Sequence, residues 1–486
     1  MNLVRFIQVL IPFFLFAGLF MSCRDDNIDT DPSLRLSFST DSLLFDTVFT
    51  TLGSSTRSFM VYNDHHRRIR IESVRLGAGS GSFFRMNVDG RSGTYIRDIE
   101  IGPNDSIFVF VEVTIDPVNQ DLPLIIADSI LFSLNQNIQE VVLTAWGQDA
   151  IFIRPNFFDP ELQIGYHLIE ESTTWTARKP YVIFGLAVMA ANRTLTIEAG
   201  TKIHFHNNAS LVFLGGSTLR VQGTMEQPVI FQGNRLENFF RDVPGQWGRI
   251  WLTATSKDHV IDHAIIKNGT VGIHVDSIGS VNAPTLIIRN TVIKNKSLAG
   301  LIAQGSHVLG ENLLIANCGQ RTLHLALGGR YEFRHSTFAN YFNLHGSPVR
   351  RTPSVFINNY YRDLQGVIHP RDFEHLYFGN SIIYGVLQEE LQFDLLPGSI
   401  TPFVFDHSLL RTQIPSTDSR FVSCIFNLSP QFHDVTEQDY RLNANSPAIR
   451  AGKPELAVEV PFDLLGRART IPPDIGAFQF YEIQPD

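Results

Sequence analysis

From position 262 to 412, apolar and polar places follow a seven-residue phrase that recurs down the chain. Four copies read DHAIIKN (262–268), RNTVIKN (289–295), ENLLIAN (311–317) and RHSTFAN (334–340), and two looser ones, GNSIIYG (379–385) and DHSLLRT (406–412), follow. Their starts lie 27, 22, 23, 45 and 27 residues apart, the gap of 45 being close to two periods with one copy blurred. Self-similarity at this period marks one structural unit per repeat, stacked on its neighbours. The L-x-x-L-x-L spacing of a leucine-rich repeat is absent, whereas short β-branched runs closed by Asn or Gly suit strands and corners. The pattern predicts a parallel β-solenoid.

A coil of about 22 residues can hold three short strands, and neighbouring coils pair backbone to backbone about 4.8 Å apart. Like residues then stack on like. Ile265, Ile293, Ile315, Phe338, Ile383 and Leu410 are expected to form an interior column, and Asn268, Asn295, Asn317 and Asn340 a ladder of amides at a corner. The first place carries Asp262, Arg289, Glu311 and Arg334. Strict strand alternation would bury these charges beside the fifth place, which desolvation forbids. The Asn or His at the second place must therefore turn a corner, and the alternating signs predict an ion-pair ladder on the outer wall.

Ahead of the repeats, residues 34–147 alternate short β-type runs (LRLSFST, SFMVYND, IRIESVRL, SIFVFVEVTI, DSILFSL, VVLTAWG) with Gly, Asn, Asp and Pro. About seven strands in this length predict a sandwich. The order VYN, IESV, FVEVTIDP, LTAWG resembles the Hydin-type and sperm-protein-like immunoglobulin folds. That resemblance implies an immunoglobulin-like β-sandwich held by apolar packing, here acting as a spacer, with NDHHRR (63–68) as a solvated turn. Residues 148–189, with Pro155, Pro160, Trp175 and Pro180, read as a connector. From 190 to 435, phrases such as LTIEAGT, GSTLRVQGT and QPVIFQG resemble the right-handed parallel β-helix of pectate-lyase-like proteins. Residues 436–486 (DYRLNANSPAIRAG, then FDLLGRARTIPPDIGAFQF) resemble the closing segment of secreted β-helix proteins, except that Arg450 stands where that phrase commonly has Asp. The segment is expected to cover the open edge of the last coil. The fold expected overall is all-β, a sandwich followed by a solenoid.

Residues 1–22 read as a targeting segment, with Arg5 ahead of an apolar stretch too short for a stable membrane span. They end in FMSC, which resembles the lipobox of bacterial lipoproteins, with Phe20 in place of the usual Leu. The resemblance implies lipidation of Cys23 and anchoring in the outer membrane by acyl groups, and the chain is expected to be a monomer. The tether 23–33 begins CRDDNIDTD, and its cluster of Asp resembles the export signal that carries lipoproteins to the outer face of that membrane, implying display at the cell surface.

Composition narrows the chemistry. A net charge of −9 leaves no basic field to neutralise phosphates, which argues against nucleic acid as a partner. The 38 Phe suit interior stacks, and Cys318 and Cys424, set in apolar runs, read as buried free thiols. No stacked trio of acids appears on the coils, and no P-loop, nucleotide fingerprint or HExxH phrase is present, so no cofactor or metal is implied. His204 and His206 lack a third ligand, and Glu332 beside His335 is better explained by an ion pair with Arg334. Two interruptions break the coils. One, 234–245, bears Phe239, Phe240 and Arg241. The other, 341–378, bears Tyr360, Tyr361, Arg350, Arg351, Arg362, Arg371, His345, His369 and His375. Excursions from a solenoid often mark its binding face. The chain thus reads as a non-catalytic surface protein binding glycan or another surface component through these residues, with a polysaccharide lyase or glycoside hydrolase as the alternative.

Cys23→Ala should release the protein from membranes and abolish acyl labelling. Unchanged fractionation of that variant would remove the anchor.

Overall fold

The computed structural model describes residues 27–49, 54, 56–114, 124–161, 163–276, 283–342, 350–399, 401–415 and 417–481. The targeting segment, Cys23, the start of the tether and His345 lie outside the described residues. The chain divides into two compact units, 1–149 and 150–486.

The first unit is a sandwich of two five-stranded sheets. One runs Ser37–Phe38, Arg57–Asn63, Asp105–Val113, Phe84–Val88, Arg91–Gly93, and the other Ser42–Phe49, Asn137–Gln148, Leu124–Leu134, Ile69–Leu76, Tyr95–Ile101. Alternate residues point inward, so Phe59, Phe84 and Val109 of one sheet share a core with Ile71, Phe132 and Leu143 of the other. The NDHHRR turn is closed by the buried Asn63, whose Nδ2 donates to the carbonyls of Arg67, Ile101 and Gly102.

In the second unit one 27-stranded, largely parallel sheet winds as a β-helix. It begins at Ile151–Ile153, which pairs with Tyr181–Met189, and that strand pairs with Lys202–Phe213. Most of the expected connector, residues 151–189, is therefore solenoid: the runs 151–153, 164–169, 173–175 and 181–189 find parallel partners despite the three prolines between them.

The repeat phrase explains the winding. Its second place, occupied by His263, Asn290, Asn312, His335, Asn380 and His407, has φ between +47° and +53° in every copy. This left-handed conformation suits Asn, whose short polar side chain bonds locally, and His shares the enrichment. The kink resets the side-chain alternation, so the first place points out while the third and fifth point in. Ile293, Ile315, Phe338, Ile383 and Leu410 are fully buried. The column's first member is Ile266 and not Ile265: Ile266 is in register with Ile293, while Ile265, one step off the fifth place, faces outward half-buried. A second interior column stacks Phe333, Phe378, Phe405 and Phe421, with ring centroids 5.1, 4.7 and 5.3 Å apart. Serines at the third place add a hydroxyl ladder, Ser336 N donating to Ser381 Oγ and Ser381 N to Ser408 Oγ at 3.3 and 3.2 Å.

On the outer wall Arg289 Nε lies 2.7 Å from Glu311, which also meets Arg334 Nη1 at 3.4 Å, while Asp262 takes His263 and Asn290 instead. The amide ladder sits at the second place, where Asn312 donates to Asn290 and Asn380 meets His335, and not at the seventh. The seventh-place amides of Asn268 and Asn295 reach outward to the 234–245 loop. The closing segment lies along the flank of the solenoid. Its Tyr440, Ile475 and Phe478, joined by Phe432 just ahead of it, cover Leu314, Ala316, Ala339, Ile382 and Leu409. Those outward places are apolar in the later coils, so they need cover more than the end edge does.

After the seventh-place corner the chain re-enters the core, which puts Lys296 in register with Cys318. Lys296 is fully buried, its Nζ 4.5 Å from the centroid of Trp247 and without a hydrogen-bond partner among the described residues. Burial pushes its pKa well below the usual value and pushes the Cys318 thiol up to about 12. Cys318 and Cys424 are free, the second half-buried.

Ile315→Asp puts an unpaired charge in this dry interior. It should cost about 4 kcal/mol or more, read as loss of the cooperative melt of the second unit. A melt equal to wild type would remove the column.

Candidate functional site

One face of the solenoid differs from the other two. The strands Ile250–Leu252, Val271–Val275, Ala299–Gln304, Arg321–Ala326, Val355–Asn358 and Leu391–Asp394 stack in parallel register. Ile250, Ile273, Leu301, Leu323, Val355 and Leu391 fill the interior, all fully buried. Alternation then turns Trp251, His274, Ile302, His324, Phe356 and Gln392 outward as one column, a rung per coil. These side chains are half-buried, apart from the exposed Gln392.

The column is a linked polar-aromatic surface. The Trp251 and His274 rings stack with centroids 6.0 Å apart, and His324 meets Phe356 at 5.3 Å. Arg321 lies 4.3 Å over the Phe356 ring. Arg249 Nη1 donates to His274 Nδ1 at 2.9 Å, and His274 Nε2 lies 2.9 Å from both Asp276 Oδ1 and Gln304 Nε2. Trp251 Nε1 donates to the other Asp276 oxygen at 2.6 Å. Burial pushes the Asp276 carboxyl up, yet these two bonds hold it below the usual carboxylate range. Burial also lowers His324 to about 4, so that ring is neutral at physiological pH.

The 341–378 excursion emerges beside this face. Tyr360–Arg362 and Ile368–Pro370 pair as an antiparallel hairpin. Tyr360 donates to Asp394 at 2.8 Å, Arg362 sits over the Tyr360 ring, and the exposed Tyr361 stacks on His369 at 4.7 Å. Arg351 is exposed. Arg350 is not available to a ligand: it is fully buried in a bidentate pair with Glu390 at 2.6 and 2.9 Å, and it also donates to the carbonyls of Asn340 and Thr352. Burial raises the Glu390 carboxyl despite that pair. With Asp363 on His369 and Asp394 on Tyr360 as well, the excursion is not the basic patch its composition suggests. Phe239, Phe240 and Arg241 lie on the separate 234–245 loop, Phe239 being 79% exposed.

The remaining candidates are structural. Glu332 pairs with Arg334, and His335, wholly buried, meets Asn380 at 3.0 Å. His204 is buried against the Gly233 carbonyl, while His206 is exposed beside Phe184 and Asn234. Among the described residues no group of three or more His, Cys, Asp or Glu could hold a metal ion. The Trp251–Gln392 column escaped the sequence reading because its strands carry no heptad phrase. The signal present was an apolar-ring-apolar triplet, IWL, IHV, LHL and VFI, in four of the six coils.

A family model described as a pectate-lyase-like beta helix domain matches residues 167–258, which associates the chain with a carbohydrate-related role in general terms. No curated protein matches the chain significantly by sequence. Among solved structures, an ASH/PapD-like domain of human CEP192 is 11% identical over 25% of this chain and 92% of its own, with a TM-score of 0.17. A family 123 glycoside hydrolase from Clostridium perfringens is 7% identical over 26% of this chain and 29% of its own, at 0.19. A protein of unknown function from Porphyromonas gingivalis W83 is 15% identical over 29% of this chain and 57% of its own, at 0.17. The chain thus spans under two thirds of the latter two.

Removing one partner of a buried ion pair strands the other, so Arg350→Ala should lose about 3–5 kcal/mol of stability. The exposed Arg351→Ala should stay within about 0.5 kcal/mol. Denaturant melts measure both, and equal midpoints would contradict the buried pair.

Proposed function

We propose that this chain is a surface-displayed lipoprotein that binds a glycan without cleaving it, along the face bearing Trp251, His274, His324 and Phe356. The observation that carries the reading is the in-register outward column of rings, beside the Tyr360–Arg362 hairpin. Sugar rings present apolar C–H faces and hydroxyl edges. Trp251 and Phe356 offer apolar faces, and Asp276, Gln304, Asn358 and Asp394 offer hydrogen-bonding groups close by. A rung repeated about every 4.8 Å suits a linear polymer better than a single small molecule. In this reading the lipid on Cys23 anchors the chain in the outer membrane, and the N-terminal sandwich is an immunoglobulin-like spacer.

Trp251→Ala and Phe356→Ala should each weaken retention on a matching polysaccharide about tenfold or more, with solenoid melting still cooperative. A glycan array on wild type, followed by affinity measurements on the variants, checks this. Undiminished binding in both would reject the face, and release of new chain ends from the bound glycan would replace binding by catalysis.

A further inference from the structure

The sixth place of the repeat divides the second face of the solenoid. In the later coils it holds Ala316, Ala339 and Tyr384, which the closing segment covers. In the two earliest copies it holds Lys267 and Lys294, which are register partners on adjacent coils and point outward, half-buried. Like charges directly opposite each other on paired strands repel and are destabilising. Burial lowers both ammonium pKa values, Asp242 works against that shift, and Arg241 adds to it.

Arg241 is the third cation. The 234–245 loop holds it, largely exposed, beside the same carboxylate as Lys294, and the corner asparagines hold that loop: Asn268 Nδ2 donates to the Arg241 carbonyl at 2.9 Å. Gln246 Nε2 bonds the carbonyls of Phe240 and Val243 at 2.6 and 2.8 Å. The carboxylate facing the three cations is Asp242, 3.9 Å from Arg241 and 4.0 Å from Lys294, with Asn295 donating to its Oδ1 at 2.9 Å. Lys267 makes no ion pair among the described residues. Beside the cations stands Phe239, set edge-on to Phe240 with ring centroids 5.0 Å apart.

We infer that Lys267, Lys294 and Arg241 form a cradle for one oxyanion group, a sulfate, phosphate or carboxylate, borne by a ligand whose apolar side rests on Phe239. Two half-buried lysines in register and a neighbouring arginine are set against one carboxylate, and an added oxyanion there relieves their mutual repulsion. The loop backbone is already bonded in place, so binding need not order it. The carrier is taken to be the glycan of the preceding section. The cradle itself is a different place, with different residues.

The test is thermal melting of the full chain in sulfate, phosphate and acetate against chloride at equal ionic strength. The proteins are wild type, Lys267→Met/Lys294→Met, Arg241→Ala and Trp251→Ala. In chloride the double variant should melt above wild type, since the repulsion is gone. An oxyanion should raise the wild-type and Trp251→Ala midpoints by about 2 °C or more, and raise the other two less. A response to acetate assigns a carboxylate, and one confined to sulfate and phosphate assigns a tetrahedral group. Equal shifts in all four proteins would be a general salting effect on burial and would overturn the cradle. Loss of glycan retention by Trp251→Ala with its anion response intact separates the two sites.

Discussion

Each repeat of the solenoid turns on one residue that accepts a positive φ. The Asn or His at the second place costs little in that conformation, and it moves the first place to the wall while the third and fifth stay inside. Everything else follows from repeating this turn in register. Phe stacks on Phe, serine hydroxyls bond the next serine, and an arginine on one coil finds a glutamate on the next. The exposed pairs contribute only about 0–1 kcal/mol each, so the burial of the stacked interior supplies the stability and the charges help fix the register.

Parallel coils buried along one side and clothed differently on the other explain how one scaffold presents three surfaces. One face is apolar in its later coils and is covered by Phe432, Tyr440 and Phe478. Its earlier coils carry Lys267 and Lys294 instead, flanked by the 234–245 loop. Another carries the Trp251, His274, His324 and Phe356 column, where half-buried rings alternate with groups already committed to hydrogen bonds. Such a surface is stiff, because each rung is bonded to the rungs beside it, and stiffness limits the entropy lost on binding.

The architecture was legible in the sequence because the corner is chemical: few residues take φ near +50°, and their recurrence counts coils. The inward phase, the ion-pair wall and the free thiols follow from it. What escaped the reading depended on the position of neighbours. Arg350 reads as exposed in a Pro- and Arg-rich stretch, and only Glu390, 40 residues later, takes it into the core. The tail reads as an end cap, whereas the apolar outward residues of the later coils draw it to the flank. Strands such as IWL and LHL are too short to announce a face until the register aligns them.

Lys296 shows how completely the corner rule governs side-chain direction, since it sends even a lysine inward. Burial there disfavours the ammonium form, so the folded chain gives up this proton more readily than the unfolded chain does. The sign follows: a lysine whose folded pKa lies below its unfolded value of 10.5 penalises the fold wherever the unfolded chain is protonated. That penalty fades as pH climbs toward 10.5. Lys296 therefore weighs against the solenoid least in alkaline surroundings.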